Sequence, residues 1–231
     1  MTTTTDDRPA RRHNGPPLVV LAAISLGLML AGLAVSAALG GVTPSPFENS
    51  AVIERYFTGQ PDAVRAGGIL VFASSVPLAL YAAGVHARLR NLGVRAPGAV
   101  IALTGGTVGA ALLSLSGLLQ WALSRPAVRT EVPLIRGLQD LSFLTGGVGH
   151  VVFLGLLLAG VAVPSLFLRL LPRPLAVAGL VLAVVAEVST VSLIWPAASV
   201  LLPIARFPGL IWLTAAGVLL PAQRVRRGPD A

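Results

Sequence analysis

Long apolar segments separated by short polar connections run along most of this chain. We predict helices in six of them, near residues 17–40, 67–87, 98–122, 141–163, 174–195 and 199–221. Each is close to the length of about 20 residues that carries a helix across a hydrocarbon layer of about 30 Å. The segments are continuous rather than alternating, which favours helices over a β-barrel. The pattern therefore predicts an all-α fold, a polytopic six-helix transmembrane bundle in one domain covering residues 17–221.

The arginines are shared unequally between the two sides of this predicted bundle. Eleven lie in the N-terminal tail, the second connection, the fourth connection and the C-terminal tail, and five lie in the first and third connections. The acidic residues of the connections all belong to the second group: Glu48, Glu54, Asp62, Glu131 and Asp140. Because arginine-rich short loops stay in the cytoplasm, we expect both termini to be cytoplasmic. Trp121 and Trp195 then fall at the outer interface, where aromatic residues are enriched.

The two ends of the chain are polar. Residues 1–16 are predicted to be a disordered basic cytoplasmic tail and residues 222–231 a second cytoplasmic tail. The first apolar segment is longer than the core of about 7–15 residues in a signal peptide, although its Ala-rich end leaves cleavage as an alternative. All 17 basic residues are arginine, which with the Ala, Gly and Pro content is typical of a GC-rich bacterial genome. We therefore expect a multi-pass protein of the bacterial cytoplasmic (inner) membrane.

The amino-acid composition argues against several classes of function. Apolar residues make up 55% of the chain and charged residues 11%, against about 25% charged in an average soluble domain. The net charge of +8 comes from arginines scattered over connections and tails, with no basic helix or aromatic-studded groove, so no nucleic-acid partner is expected. The absence of cysteine excludes disulfides, cysteine metal sites and thiol catalysis.

The first outer connection has secondary structure of its own. Residues 50–59 (SAVIERYFTG) predict a short helix with Val52, Tyr56 and Phe57 on one face and Gly59 as its stop. Pro61 then predicts a new helix start. The short helix is interpreted either as an interfacial helix lying on the bilayer or as a cap over a cavity between the helices.

Glycines favour close helix packing. Gly105 and Gly109 form a GxxxG pattern, and residues 146–149 (GGVG) begin the fourth span. Small faces of this kind let helices approach closely in lipid. Ordinary packing within the bundle is the favoured interpretation, and a homodimer contact is the alternative.

Ionisable residues inside the spans are the strongest candidates for a site, because they are costly in lipid and usually face the protein interior. His150, Glu187 and Arg206 fall about 13, 12 and 10 Å below the outer ends of their spans at the helical rise. They are predicted to form one outer-half polar layer that binds a ligand, joined by Gln120 and Thr190.

Each of these residues also has a structural interpretation. Arg206 snorkels from a first turn if the sixth span begins at Pro203. Glu187 is a protonated, hydrogen-bonded link to a neighbouring helix. His150 is a neutral, packed histidine, and any pair of the three is a salt bridge that sets helix register.

Motifs for catalysis and cofactors are missing from the sequence. One histidine lies deep in a span, whereas a bis-histidine haem needs two. There is no HExxH zinc motif, GxSxG elbow, Walker loop or Rossmann fingerprint. The sequence therefore predicts no cofactor, no metal site and no catalytic residue.

A set of glycines, prolines and polar residues carries a family resemblance. It comprises Gly146-Gly147-Val148-Gly149-His150, Glu187, Ala205-Arg206-Phe207-Pro208-Gly209 and Trp212, with Pro46-Phe47-Glu48 to Arg65-Ala66-Gly67 in the outer segment. Across residues 18–221 the chain resembles an uncharacterised group of bacterial multi-helix membrane proteins, near the domain of unknown function 4386 group. The resemblance implies a multi-helix membrane protein without an assigned activity or catalytic residues.

These patterns predict an integral membrane protein that binds or translocates a small ligand, ion or proton through an outward-facing polar pocket. The alternative is a non-catalytic accessory or sensory protein that acts through a membrane-protein partner or a homodimer. A second alternative is an intramembrane enzyme, which the missing motifs disfavour.

Overall fold

The computed structural model of this chain describes residues 16–221 and is all-helical there, without a strand. Within that range six helices are long and apolar enough to cross a membrane: Leu18–Gly40, Pro61–Asn91, Gly98–Leu123, Val132–Leu168, Arg173–Leu193 and Pro196–Leu219. The predicted all-α, six-span fold is therefore confirmed. Both predicted tails fall outside the described residues, apart from residue 16.

The α-helices are numbered in chain order. They are α1 (Leu18–Gly40), α2 (Ser50–Gly59), α3 (Pro61–Asn91), α4 (Gly98–Leu123), α5 (Pro126–Arg129), α6 (Val132–Leu144), α7 (His150–Leu168), α8 (Arg173–Val188) and α9 (Leu201–Leu219). A π-helical turn, Thr145–Gly149, joins α6 to α7 in one span. Short 3₁₀ helices extend α8 at Ser189–Leu193 and precede α9 at Pro196–Val200.

Two spans begin earlier than their hydropathy predicts. Helix α3 begins at Pro61 rather than at residue 67, and the fourth span begins at Val132 rather than at residue 141. Both starts place proline in the first helical turn, where its missing N–H costs nothing. The added turns carry polar residues such as Arg65 and Arg136, so hydropathy alone ends the segment too soon.

The spans close into a ring in sequence order. Helix α1 packs on α3, α3 on α4, α4 on α7, α7 on α8, α8 on α9, and α9 returns to α1. Short connections make consecutive spans antiparallel neighbours, as in other helical bundles. The ring has a capped end, formed by residues 41–59 and 124–131, and an opposite end, formed by residues 92–97 and 169–172.

Glycines bring α4 and α7 into close contact. A Cβ at Gly105 would lie 2.6 Å from the backbone nitrogen of Leu157, and a Cβ at Gly160 would collide with the backbone of Ala102. Gly109 faces the carbonyl of His150 on the same crossing. The GxxxG face is therefore filled by α7 of the same chain, which matches the packing interpretation and leaves that face unavailable for a dimer.

Helix α2 covers the capped end. Its Ile53 and Phe57 are buried in a cluster with Val64 of α3, Leu123 of α4 and Ile135 of α6. Of the predicted apolar face, Phe57 is buried, whereas Val52 is 44% exposed and Ile53 takes the second buried position. The packing of α2 on the ends of three helices supports the cap rather than a helix resting on lipid.

Candidate ligand-binding cavity

A cavity of about 590 Å³ lies inside the ring at its capped end. Residues from α1, α3, α4, α6 and α9 line it, together with residues 41–47 of the first connection and Phe57 of α2. Ligand pockets in proteins commonly enclose about 300–1,000 Å³. The cavity therefore has the size of a small-molecule site.

Part of the cavity lining is apolar. Met29 and Leu33 of α1, Val71 of α3 and Leu113 of α4 form this surface. At the helical rise, Met29 lies about 16 Å below the end of α1. Because Met29 and Leu113 are each 2% exposed, they close the cavity toward the middle of the bundle.

Another part of the lining, which we call the polar wall, combines polar side chains from three helices. Ser116 and Gln120 of α4, Gln139 and Ser142 of α6, and Arg206 of α9 contribute to it. The Ser116 hydroxyl donates to the Ser142 carbonyl at 2.8 Å, which ties α4 to α6. The Gln139 amide donates to the Pro44 carbonyl at 3.2 Å, so its carbonyl oxygen is left for another partner. That oxygen is buried without a hydrogen bond from any residue in 16–221.

Arg206 binds the π-helical turn. In a regular α-helix the N–H of His150 would donate to the carbonyl of Gly146. Here that N–H bonds to the carbonyls of Thr145 and Gly147, so the Gly146 carbonyl loses its regular partner. Arg206 takes its place by donating a guanidinium N–H to Gly146. π-Helical turns of this kind are frequent at functional sites.

The charge of Arg206 is not neutralised by the described protein. Within residues 16–221 the single ion pair joins Arg65 and Asp62 at 3.2 Å, on the surface of the capped end. The Nε of Arg206 is buried and receives no partner from that part of the chain. A guanidinium on a cavity wall inside a membrane span is therefore left without a carboxylate.

Arg206 does not snorkel from a first turn. The sixth span begins at Pro196 in a 3₁₀ helix that continues into α9 at Leu201, so Arg206 lies in the second turn of α9. Its side chain points to the π-helical turn of the fourth span. The snorkelling interpretation, which required a start at Pro203, is wrong.

His150 is packed behind the polar wall. It is fully buried, and its Nδ1 lies 2.9 Å from the carbonyl oxygen of Gly109 on α4. A carbonyl only accepts, so Nδ1 is the donor. Its Nε2 is buried without a partner among the described residues, and the ring does not line the cavity. This placement matches a structural, packed histidine.

Glu187 and Thr190 lie outside the site. Both side chains are exposed on the outer surface of the ring, and within the described residues α8 contributes nothing to the cavity lining. The inward face of α8 is instead made of small residues, including Gly179, Ala183 and Ala186. The predicted layer of His150, Glu187 and Arg206 is therefore wrong: similar depth did not bring the three side chains onto one wall.

The first connection folds over the mouth of the cavity. Arg136 of α6 donates to the Pro46 carbonyl at 3.3 Å, and Phe47 packs edge-on against Phe143 with ring centroids 5.6 Å apart. The Thr43 hydroxyl lies 3.2 Å from the hydroxyl of Tyr56 on α2. We call residues 41–49 the lid. It rests on α6 through side-chain contacts to backbone carbonyls.

Sequence reasoning missed most of the polar wall. Gln139 lies where an outer connection was expected, and Ser142 lies at the start of the predicted fourth span. Nothing in their spacing pointed inward. The run of glycines in 146–149 was a usable signal, because closely spaced glycines permit a backbone carbonyl to face a neighbouring side chain. Across 16–221 no three His, Asp or Glu side chains converge to hold a metal ion.

The six apolar helices indicate a multi-pass α-helical membrane protein, and the bundle encloses a cavity. Comparison with known proteins adds no relative: no protein-family model, no curated protein and no solved structure matches this chain. The resemblance to the domain of unknown function 4386 group stays a prediction.

Proposed function

We propose that this protein binds a small ligand in the cavity, in contact with Arg206, from the outer side of a bacterial cytoplasmic membrane. The main support is Arg206, which lines a cavity of about 590 Å³ and forms no ion pair with a carboxylate of residues 16–221. Ionisable groups within spans ordinarily pair with one another or line a functional pathway. A ligand supplies the missing partner.

The orientation belongs to the same proposal. Arg88, Arg90, Arg95, Arg169 and Arg173 cluster near the opposite end of the ring, and the acidic residues of the connections lie at the capped end. Under the positive-inside rule the capped end faces the periplasm, so the cavity lies in the outer half of the membrane. Single cysteines test this directly, because the chain has none of its own. An impermeant thiol reagent applied to intact cells should label an Arg55→Cys variant and spare an Arg95→Cys variant; the reverse pattern overturns the orientation.

Ligand binding is tested by protection of a cavity thiol. Ser36 lines the cavity and is half-buried, so the near-isosteric Ser36→Cys change places a thiol on the wall. Only the thiolate reacts, which requires water. Reconstituted in neutral lipid nanodiscs, the Ser36→Cys variant should react with a small thiol reagent, whereas Ala34→Cys, exposed to lipid on the same helix, should react far more slowly.

A panel of anionic, cationic and uncharged small molecules then decides the function. We expect at least one compound to slow modification of the Ser36→Cys variant at least fivefold without slowing an Arg55→Cys variant, which is exposed on α2. Reaction at Ser36→Cys that no compound slows would contradict the proposal.

Glu187 favours a second candidate, the accessory protein that acts through a membrane partner. Its side chain is exposed on the lipid-facing surface within an apolar span, beside Gly155 of α7. A carboxyl group in that position is costly in lipid and is stabilised by a hydrogen-bond donor from another membrane helix. The exposed carboxyl would then be the centre of a helix–helix contact with the partner.

A substitution at Glu187 separates the two candidates. If the partner contact is the function, Glu187→Leu should abolish crosslinking of Val184→Cys, one turn away on the same face, to a co-purified membrane protein. A matched Val181→Leu change, at another exposed position of α8, should leave crosslinking intact. The accessory function would be refuted if crosslinking of Val184→Cys were unchanged by Glu187→Leu. It would also be refuted if Val184→Cys with Glu187 intact crosslinked to no membrane protein.

A further inference from the structure

We infer that the ligand is an amphiphilic anion, with one carboxylate or phosphate head on Arg206 and an apolar chain along α1. This inference rests on the proposed function and names the chemical class of its ligand. Three features of the cavity carry it: the charge on its lining, the division of its walls and the side on which it opens.

The charge on the lining sets the charge of the head group. Among the residues that line the cavity, Arg206 is the one that carries a formal charge. Guanidinium groups recognise carboxylate and phosphate oxygens through paired N–H donors. Gln120 also lines the cavity and, within residues 16–221, has no hydrogen bond, so its amide is a further free donor on the lining. The site is therefore complementary to a single compact oxyanion.

The apolar lining and the cavity volume indicate that the rest of the ligand is an apolar chain. Apart from the polar wall, the lining includes the apolar side chains of Met29, Leu33, Val71 and Leu113. A volume of about 590 Å³ is also far larger than an inorganic anion requires, since one water occupies about 30 Å³ of liquid. Burial of an apolar chain against this surface is favourable in proportion to the area removed from water. A free phosphate or acetate ion would leave most of the site unfilled.

The opening indicates how such a ligand enters. Helices α1 and α9 meet closely near the opposite end of the ring, where a Cβ at Gly217 would lie 2.8 Å from the backbone nitrogen of Val19. Toward the capped end, residues 33–40 of α1 include no buried position. Leu33 and Ala37 of α1 and Pro203 of α9 are exposed and yet line the cavity. The cavity therefore opens sideways between α1 and α9, toward the acyl chains of the bilayer.

Four probes test the ligand class in the Ser36→Cys variant, reconstituted in phosphatidylcholine nanodiscs: dodecanoate, dodecanol, dodecyltrimethylammonium and acetate. Dodecanol enters the same bilayer without a charge, and acetate carries the head without a chain. We expect dodecanoate to protect the thiol at a concentration at least tenfold below dodecanol and acetate, and dodecyltrimethylammonium not to protect it. The Arg55→Cys variant reports any general effect of the amphiphiles on thiol reactivity.

A change at Arg206 then tests the head group. Arg206→Gln keeps an amide donor for the Gly146 carbonyl and removes the charge, so it should lose the tenfold preference for dodecanoate over dodecanol. If Arg206→Gln does not fold, Arg206→Lys replaces it as the test of the head group. Because lysine keeps the positive charge, this variant should retain a preference for dodecanoate. Arg125→Gln, a charge removal at the capped end outside the cavity, should leave the preference intact.

The outcomes separate this inference from the proposed function. Equal protection by dodecanol or acetate, or a preference that survives in the Arg206→Gln variant, overturns the amphiphilic anion and leaves a ligand site. Protection by none of the four probes also overturns it, and the wider compound panel then decides whether the cavity binds any small ligand.

Discussion

Ser116 and Gly146 are in direct contact where α4 crosses the π-helical turn. A Cβ at Gly146 would lie 2.6 Å from the Cβ of Ser116 and closer still to its hydroxyl. The same turn presents the Gly146 carbonyl to Arg206. Because residue 146 has no side chain, α4 can pack closely on this turn, and the polar wall of the cavity depends on that contact.

Gly146→Ala should therefore destabilise the protein. We expect a loss of about 1–3 kcal/mol from the collision with Ser116, the usual cost of overpacking a close contact. Gly147→Ala is the matched control in the same turn, because its Cβ would lie 3.4 Å or more from its neighbours. Thermal unfolding in detergent measures both.

A compensating change identifies the cause. Gly146→Ala combined with Ser116→Gly should recover part of the loss, giving a favourable coupling in a double-mutant cycle. Equal losses in the Gly146→Ala and Gly147→Ala variants would show that the contact with Ser116 is not responsible.

Tyr81 anchors α3 to α9. Its hydroxyl is fully buried and donates to the Leu213 carbonyl at 2.9 Å. Tyr81→Phe keeps the ring and leaves that carbonyl unpaired, which should cost about 1–2 kcal/mol of unfolding free energy. Tyr56→Phe at the capped end, whose hydroxyl meets Thr43 in an exposed contact, should cost less. Indistinguishable melting temperatures for the two variants would refute a structural role for the buried hydrogen bond.

Gly105 sets the distance between α4 and α7. Because a Cβ there would lie 2.6–2.7 Å from atoms of Leu157, Leu156 and Phe153, Gly105→Ala should force the helices apart and lower stability by about 1–3 kcal/mol. Gly27→Ala on α1 is the control, since its Cβ would meet no atom of residues 16–221 within 4 Å. A Gly105→Ala variant as stable as Gly27→Ala would mean that the crossing tolerates the extra methyl group.

Arg136 holds the lid over the cavity. Arg136→Ala removes the donor to the Pro46 carbonyl, so the lid should open more often and a thiol at Ser36→Cys should react several-fold faster. Arg125→Ala removes a neighbouring cation that contacts Trp121 instead, and it should leave the rate unchanged. A rate that responds equally to both substitutions would point to loss of surface charge rather than to the lid.

Span number and order were readable from the sequence, for a physical reason. Lipid requires each crossing to be a continuous apolar helix of sufficient length, and that requirement is visible residue by residue. The start of α3 at Pro61 was also visible, because proline has a specific place in a first helical turn. The extension of α3 to Asn91 and the start of α6 at Val132 were not, since their polar faces resemble loops.

Arg206 and Glu187 show which property of the site could not be predicted from the sequence: the direction in which each side chain points. Both are single charges in apolar spans, and both were placed at similar depth from the rise of about 1.5 Å per residue. Depth follows from counting residues, whereas the direction of a side chain depends on how each helix is rotated within the ring. In lipid the outward face is as apolar as the inward face, so no amphipathic pattern marks that rotation.

The amino-acid sequence alone therefore specified the solvent of this protein, its helices and their order, since each depends on local length and polarity. The remaining features depend on packing of the helices in the ring. In that packing Arg206 points toward Gly146, Glu187 points toward the bilayer, and Gln139 and Ser142 lie in one wall of the cavity. These placements depend on contacts between residues far apart along the chain, such as Gly105 with Leu157 and Ser116 with Gly146. Only close packing of complete helices determines which side chains meet there.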